Sequence, residues 1–198
     1  MRDSGTEASS LPGRGQPKTL ATVMSYDAPQ VVHKFLEFFQ MSYSEAEDLF
    51  GHLKKWLWFC AMRMRQGESS TITHELLLID EMWHCFILFT REYAEFCDKY
   101  LGGFVHHAPT TKDQKDRMSR EISNDRQAFM ERRQGELRSQ CEAIAGILDA
   151  QTLFTWYVEF PRRYGWSEIQ HIRRYTPSSP SYAYQRKLDA IASSFNRV

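Results

Sequence analysis

The amino-acid sequence predicts an all-α fold, a compact helical domain that resembles a bundle. Apolar residues recur at three- and four-residue spacing in two consecutive stretches, which is the pattern of helices that bury one face. A third apolar stretch, from about residue 74 to 100, is long enough for a central helix. It ends at Gly102 and Gly103, where glycine suits a left-handed C-cap. With 198 residues, 42% of them hydrophobic, the chain can bury one core but is short for two.

The first two helices follow from their apolar positions and from a capping motif. These positions are Val31, Val32, Phe35, Phe38 and Phe39 in the first helix, and Ala46, Leu49, Phe50, Leu53, Trp56, Leu57, Cys60 and Met64 in the second. Ser44 and Glu47, three residues apart, match the capping box that opens a helix. We therefore expect the second helix to begin near Ser44. Residues 67–73, with the sequence GESSTIT, separate it from the central helix.

The two ends of the chain differ from its middle in composition. Residues 1–26 are rich in Gly, Ser, Thr and Pro and have few large apolar groups, so we expect a disordered N-terminal tail. Residues 27–198 are predicted to be one domain, whose helical core spans residues 27–110. Residues 111–140 hold eight Lys or Arg and six Asp or Glu, which predicts a solvated helix, and an apolar helix follows from Cys141 to about Phe160. Residues 161–198 are predicted to be an irregular C-terminal segment, basic and aromatic.

Composition argues against several kinds of partner and compartment. The formal net charge is zero and the pI is near 7.1, so no global field favours nucleic acid or an anionic membrane. The longest apolar runs fall far short of the roughly 20 residues that span a bilayer, which predicts no transmembrane segment. Residues 1–18 lack the apolar stretch of a signal peptide. Four cysteines without CxxC spacing are typical of reduced thiols, so we expect a cytoplasmic protein.

The C-terminal segment leaves two interpretations open. Its basic and aromatic residues are Arg162, Arg163, Arg173 and Arg174 beside Tyr164, Trp166 and Tyr175. Stacking and charge of this kind can bind single-stranded nucleic acid. We favour packing over the core, with arginine stems on apolar surface, and regard the segment as a candidate contact for a protein partner.

Asp80 and His84 carry the strongest chemical signal in the chain. Their i,i+4 spacing places them on one face of the central helix, where Trp83 and Ile87 lie on or beside the same face. A carboxylate and an imidazole in such a place must be satisfied by each other, by backbone or by a cation. One hypothesis is a structural Asp80 to His84 hydrogen bond that pins the helix to its neighbours.

The other hypothesis adds His106 and His107, which lie in the predicted turn FVHHAP just after the helix. Asp80, His84 and one or two of these histidines would form a metal site. Two histidines and one carboxylate suit non-haem Fe(II), and a fourth ligand suits Zn(II) or Mn(II). His106 would then be the fourth ligand or an acid or base.

Neighbouring residues have predicted supporting roles in such a site. Trp83 and Phe104 would line the sides of the site, and Tyr93 would form a hydrogen bond with a metal-bound water. Glu81 and His84 also form the ExxH pattern of di-iron bundles, but no second ExxH lies on the preceding helix. The other histidines, His33, His52, His74 and His171, are isolated and predicted to be ordinary.

The chain also resembles a known family in its central region. Residues 80–97 match the pattern DExWHxxILxTxxYAxxC, residues 102–109 are GGFVHHAP, and residues 46–58 contain AExLF and LKKWLW. Over residues 31–109 the chain resembles a family of uncharacterised bacterial proteins with a DExWH and HHxP motif. It resembles more distantly the repeat domain of plant glycine-rich domain-containing proteins. The resemblance implies a fold and no reaction.

The family's recurrent polar positions correspond to Asp80, His84 and His107, with Trp83, Tyr93 and Cys97 as companions. The plant pattern has a histidine where this chain has Phe86, and an aspartate where it has His106. A three-ligand set is kept, but the resemblance does not imply the same metal geometry across the family.

Two functions from different classes therefore remain. The first is a metal-binding helical protein, which would extend to a mononuclear non-haem metalloenzyme whose substrate and catalytic residues the sequence does not name. The second is a non-enzymatic interaction module in which Asp80, His84 and His107 form a structural network. No Ser, His and Asp order, glycine-rich phosphate loop or HExxH motif favours a hydrolase or a nucleotide-binding protein.

Overall fold

A computed structural model describes residues 15–174 of the chain. Over that range the chain is a set of helices joined by short loops, and its one extended pairing is an isolated bridge between Phe39 and Arg173. The predicted all-α class is confirmed.

Three helices precede the candidate site, namely α1 (Leu20–Met24), α2 (Pro29–Phe38) and α3 (Tyr43–Arg65). The capping box of α3 is formed by Ser42 and Glu45. The Ser42 hydroxyl accepts a hydrogen bond from the Glu45 backbone N–H, and the Glu45 carboxylate accepts one from the Ser42 backbone N–H. The prediction that Ser44 and Glu47 form this box is wrong by two residues.

Residues 18–26 pack against the core, so the predicted tail is wrong for this stretch. Val23 is completely buried, and the buried Lys54 ammonium donates to the carbonyls of Met24 and Tyr26 at 2.8 and 2.7 Å. The Trp58 indole donates to the Lys18 carbonyl at 2.8 Å. Composition missed this stretch because hydrogen bonds from α3, rather than apolar side chains alone, offset the cost of ordering it.

The predicted central helix is interrupted. A 3₁₀ turn (His74–Leu76) leads into α4 (Leu77–Leu88), and α5 (Thr90–Phe96) begins after Phe89, whose φ of −88° and ψ of 65° are not helical. A π-helical turn (Cys97–Leu101) then ends at Gly102. Gly102 has a φ of +70°, the predicted left-handed C-cap, and a Cβ there would collide with the Gly15 backbone.

The second half of the chain contains more breaks than expected. It consists of α6 (Lys112–Asn124), α7 (Arg126–Ile147), α8 (Ala150–Phe154), a π-helical turn (Thr155–Glu159), α9 (Phe160–Arg163) and α10 (Trp166–Ile172). The single solvated helix predicted over residues 111–140 is divided at Asp125, whose carboxylate caps α7 by accepting from the Ala128 N–H at 2.9 Å. Helix α6 has no buried residue, as its charge pattern predicts. The helix predicted from Cys141 to Phe160 is broken at Leu148 and Asp149.

The core lies where α2, α3 and α4 pack against one another. Fully buried aromatic rings fill it, and Trp156 closes it from the second half of the chain. One side of α4 is therefore fixed in the core, which gives the polar residues on its other side a rigid support.

Arginines near the C-terminal end of the described range pair with acidic groups on earlier helices. Arg163 pairs with Glu45 and Arg173 with Glu81, while Ile169 between them is buried. These contacts agree with the preferred interpretation that the segment packs over the core, but the prediction of an irregular segment is wrong for residues 166–172, which form α10. Tyr175 and the rest of the predicted partner segment, residues 175–198, lie outside the described residues.

The cysteines and the helices agree with two further expectations from composition. All four cysteines are free, and burial raises the pKa of the Cys60 and Cys85 thiols to about 12. Such thiols are poor nucleophiles and metal ligands at neutral pH because the thiolate is the reactive form. No helix between residues 15 and 174 has the length and apolar character needed to cross a bilayer.

His52, predicted to be ordinary, joins the two halves of the protein. Its Nδ1 accepts a hydrogen bond from the buried Trp156 Nε1–H at 3.0 Å, and its Nε2 lies 3.7 Å from Asp48 Oδ2. Burial lowers the pKa of His52 below its ordinary value of 6.5, with Lys55 acting in the same direction and Asp48 and Glu159 opposing. The neutral imidazole of His52 is therefore the form that accepts the hydrogen bond from Trp156.

We expect the free energy of unfolding to decrease as pH falls below about 6.5. The unfolded chain binds a proton at His52 first, and protonated Nδ1 can no longer accept from Trp156. Urea unfolding of wild type and His52→Gln at about pH 7.5 and pH 5 measures this, because glutamine does not titrate. The wild type should lose more stability than the variant between these pH values; equal losses would contradict the role of His52.

Candidate metal centre

Asp80, His84 and His107 converge on the outer side of α4. Helix α4 carries Asp80 and His84 one turn apart, and the loop after Gly102 brings His107 back across them. Each residue offers a ligand atom, and the three atoms lie within 4.8 Å of one another. We refer to these three residues as the Asp80 group.

The closest contact in the Asp80 group joins the loop to the helix. His107 Nε2 and Asp80 Oδ1 are 2.8 Å apart, a hydrogen bond, whereas His84 Nε2 is 4.0 Å from Asp80 Oδ2. The predicted structural hydrogen bond between Asp80 and His84 is therefore not made. The carboxylate instead faces two imidazoles, one bonded through Oδ1 and one near Oδ2.

The loop that carries His107 is anchored by buried polar groups. Trp83 Nε1–H donates to the Tyr93 hydroxyl at 3.0 Å, and that hydroxyl donates to the Val105 carbonyl at 2.5 Å. The Trp83 ring also meets the His107 ring edge to face, with centroids 4.3 Å apart. Burial raises the pKa of Tyr93, so the phenol keeps its proton and its donor role. Tyr93 therefore positions the loop, and its hydroxyl is not directed to the Asp80 group as predicted.

Glu81 lies beside the Asp80 group and is held by an arginine from far along the chain. Glu81 forms an ion pair with Arg173, and its second oxygen is 3.8 Å from His84 Nδ1. Glu81 is therefore near Nδ1 of His84 and Asp80 near Nε2, although neither carboxylate is within hydrogen-bond distance of the ring. No local sequence pattern predicts the ion pair between Arg173 and Glu81, because 92 positions separate the two residues.

His106 and Phe104 are adjacent to His107 but lie outside the Asp80 group. His106 is exposed, and its ring packs on Phe104 with centroids 4.8 Å apart. Phe104 in turn packs edge to face on Tyr93. The structure thus brings together three of the four predicted ligands, and His106 is not one of them. Phe86, where the plant pattern has histidine, is completely buried among aromatic rings.

The Asp80 group borders two cavities and is partly open to solvent. The side chains of Asp80 and His107 are 18% and 14% exposed, whereas His84 is 51% exposed. His84 lines a cleft of about 700 Å³, and His107 lines a second cavity of about 370 Å³ together with Trp83 and His106. A bound ion could therefore be reached by a small molecule without unfolding of the loop.

The donor atoms fit a divalent metal ion in type and nearly in spacing. Two ligand atoms bound to one ion at about 2.1 Å lie roughly 3.0–3.5 Å apart. The Asp80 and His107 atoms, 2.8 Å apart, are slightly closer than this, and the half-exposed His84, 4.0 Å from Asp80, needs a shift of about 0.5–1 Å to reach it. Two imidazole nitrogens and a carboxylate oxygen are ligands accepted by Zn(II), Fe(II) and Mn(II).

Comparison with known proteins assigns the chain to a family. The family model described as UCP032817-like matches residues 18–136, which is more than half of the chain. The protein belongs to the UCP032817-like family. The matched range includes Lys18 to Tyr26, which pack on the core, and every residue of the Asp80 group.

The family assignment extends beyond the predicted resemblance at both ends of residues 31–109. It supports the expectation of a family without an established activity. The likeness to plant glycine-rich domain-containing proteins stays a prediction. No curated protein and no solved structure matches the chain.

Proposed function

We propose that this UCP032817-like protein binds one divalent metal ion through Asp80, His84 and His107. The observation that carries the proposal is the convergence of their ligand atoms within 4.8 Å at a place that solvent reaches. Fe(II) is a candidate ion because two histidines and one carboxylate suit it, and Zn(II) and Mn(II) are candidates with water in place of a fourth protein ligand.

A three-residue ligand set leaves coordination positions for water or substrate, so a mononuclear metalloenzyme is the function that we infer. A divalent ion there would supply Lewis acidity, and an iron ion would also supply redox chemistry. The chain's own residues have separate duties. Glu81 would accept a hydrogen bond from Nδ1 of a metal-bound His84 after closing the present distance of 3.8 Å, and the hydrogen bonds from Trp83 through Tyr93 to Val105 hold the His107 loop.

A structural network is the competing function, and one observation favours it. The hydrogen bond of 2.8 Å between Asp80 and His107 ties the loop to α4 without an ion. In that case the three residues stabilise an interaction module, and its partner would bind elsewhere on the protein.

Elemental analysis of the untagged full chain, purified without chelator, separates the two functions. We expect about one Fe, Zn or Mn per chain in the wild type and loss of that metal in the His84→Ala, His107→Ala double variant. His106→Ala is the matched control, because His106 is exposed and outside the Asp80 group, and it should keep its metal. Absence of metal from the wild type, even after reconstitution, would leave the structural network.

A further inference from the structure

The cleft on the open side of His84 has an apolar wall. It lies between α2, α4 and α10, and Phe38, Cys85, Ile87 and Leu88 line it. Leu88 is 63% exposed, the second largest exposure among the large hydrophobic side chains of residues 15–174. A volume of about 700 Å³ is within the roughly 300–1,000 Å³ that small-molecule sites occupy. The cleft thus has the size and the surface for a ligand with an apolar chain.

The charged groups of the cleft leave one positive charge. Arg173 and Glu81 neutralise each other in their ion pair, and the Arg173 guanidinium also lies over the Phe39 ring. Arg174 lines the cleft, and its backbone N–H donates to the Phe38 carbonyl at 2.7 Å, which holds its backbone beside α2. Its guanidinium has no ion pair or hydrogen bond with any residue from 15 to 174. An anionic group of a ligand would complement the Arg174 guanidinium.

We propose that the cleft binds an amphipathic carboxylic acid, an apolar chain that ends in a carboxylate. The apolar tail of the acid would lie on Phe38, Ile87 and Leu88, and its carboxylate would pair with Arg174. Binding needs no metal ion. Only the further step, that such an acid is the substrate of the Asp80 group, rests on the proposed function, and His84 is the residue that the cleft and the group share.

Isothermal titration calorimetry of decanoate into the chelator-treated full chain tests the binding site. We expect one saturable site. Arg174→Gln should weaken decanoate about tenfold, the effect of losing one charge-assisted hydrogen bond, and should leave decanol unchanged. Leu88→Glu should weaken decanoate at least about tenfold, because it places a like charge on the apolar wall. Both residues are at the surface of the cleft, so the variants should fold, and circular dichroism checks this.

Matched controls are Arg91→Gln and Leu137→Glu, which make the same changes at exposed positions outside the cleft. Both should bind decanoate as the wild type does. No saturable binding, which is also the result if residues 175–198 or a protein partner fills the cleft, would overturn the proposal. Equal weakening of decanoate and decanol by Arg174→Gln would overturn the assignment to carboxylic acids. Because the protein is metal-free, none of these results depends on the metal content.

Discussion

Replacing Asp80 with Asn is expected to remove most of the stabilisation that a divalent metal gives the folded chain. A ligand that binds only the folded state adds about 2.7 kcal/mol at a free concentration of 100 Kd. Loss of the only carboxylate in the Asp80 group should weaken metal binding on the order of 100-fold or more. At the same zinc concentration the stabilisation should then fall to about 0.4 kcal/mol or less.

Asparagine is chosen because it has the shape of aspartate and can still accept a hydrogen bond from His107. Urea unfolding with and without zinc measures the effect for wild type, Asp80→Asn and the control His106→Ala. The control should respond to zinc as the wild type does. Equal stabilisation of Asp80→Asn and the wild type by zinc would exclude Asp80 as a ligand.

Phe86→Ala should have the largest effect on the stability of the metal-free protein. Phe86 is completely buried, and its ring contacts the rings of Tyr26, Phe50, Tyr93 and Phe96. Truncation of a buried phenylalanine costs about 3–5 kcal/mol, because apolar burial is lost and a cavity remains. Since domains are stable by only about 5–15 kcal/mol, the variant should be close to unfolding.

Leu88→Ala is the matched control, two positions further on the same helix and 63% exposed. Its free energy of unfolding should stay within about 0.5 kcal/mol of the wild type. Urea unfolding of both variants gives the comparison. A cost for Phe86→Ala no larger than that for Leu88→Ala would contradict the placement of the core between α2, α3 and α4.

Local patterns predicted the helices well and their interruptions poorly. The periodicity of α2 and α3 depends on which face of each helix is buried, and that information lies within a few residues. The break at Phe89 leaves no such trace, since no glycine or proline marks it and the buried Phe86 and Tyr93 keep helical spacing on its two sides. The capping box is at Ser42 rather than Ser44. Ser42 and Glu45 have the same three-residue spacing as Ser44 and Glu47, so spacing alone does not choose between the pairs.

In the candidate site, too, local spacing predicted some residues, and others depend on tertiary packing. Asp80 and His84 are one turn apart on a helix, so their shared face was predictable from spacing alone. The choice between His106 and His107 was not, because it depends on the path of a loop held by Trp83 and Tyr93. Arg173 and Glu81 are 92 positions apart, and only the packing of α10 brings them together.

Anomalous diffraction at the zinc absorption edge, from crystals of the full chain grown with one equivalent of zinc, tests the metal centre most directly. We expect one strong peak at about 2.0–2.2 Å from an imidazole nitrogen of His84, an imidazole nitrogen of His107 and a carboxylate oxygen of Asp80. A peak at other residues, or an intact hydrogen bond between Asp80 and His107 with no peak beside it, would contradict the proposed metal site.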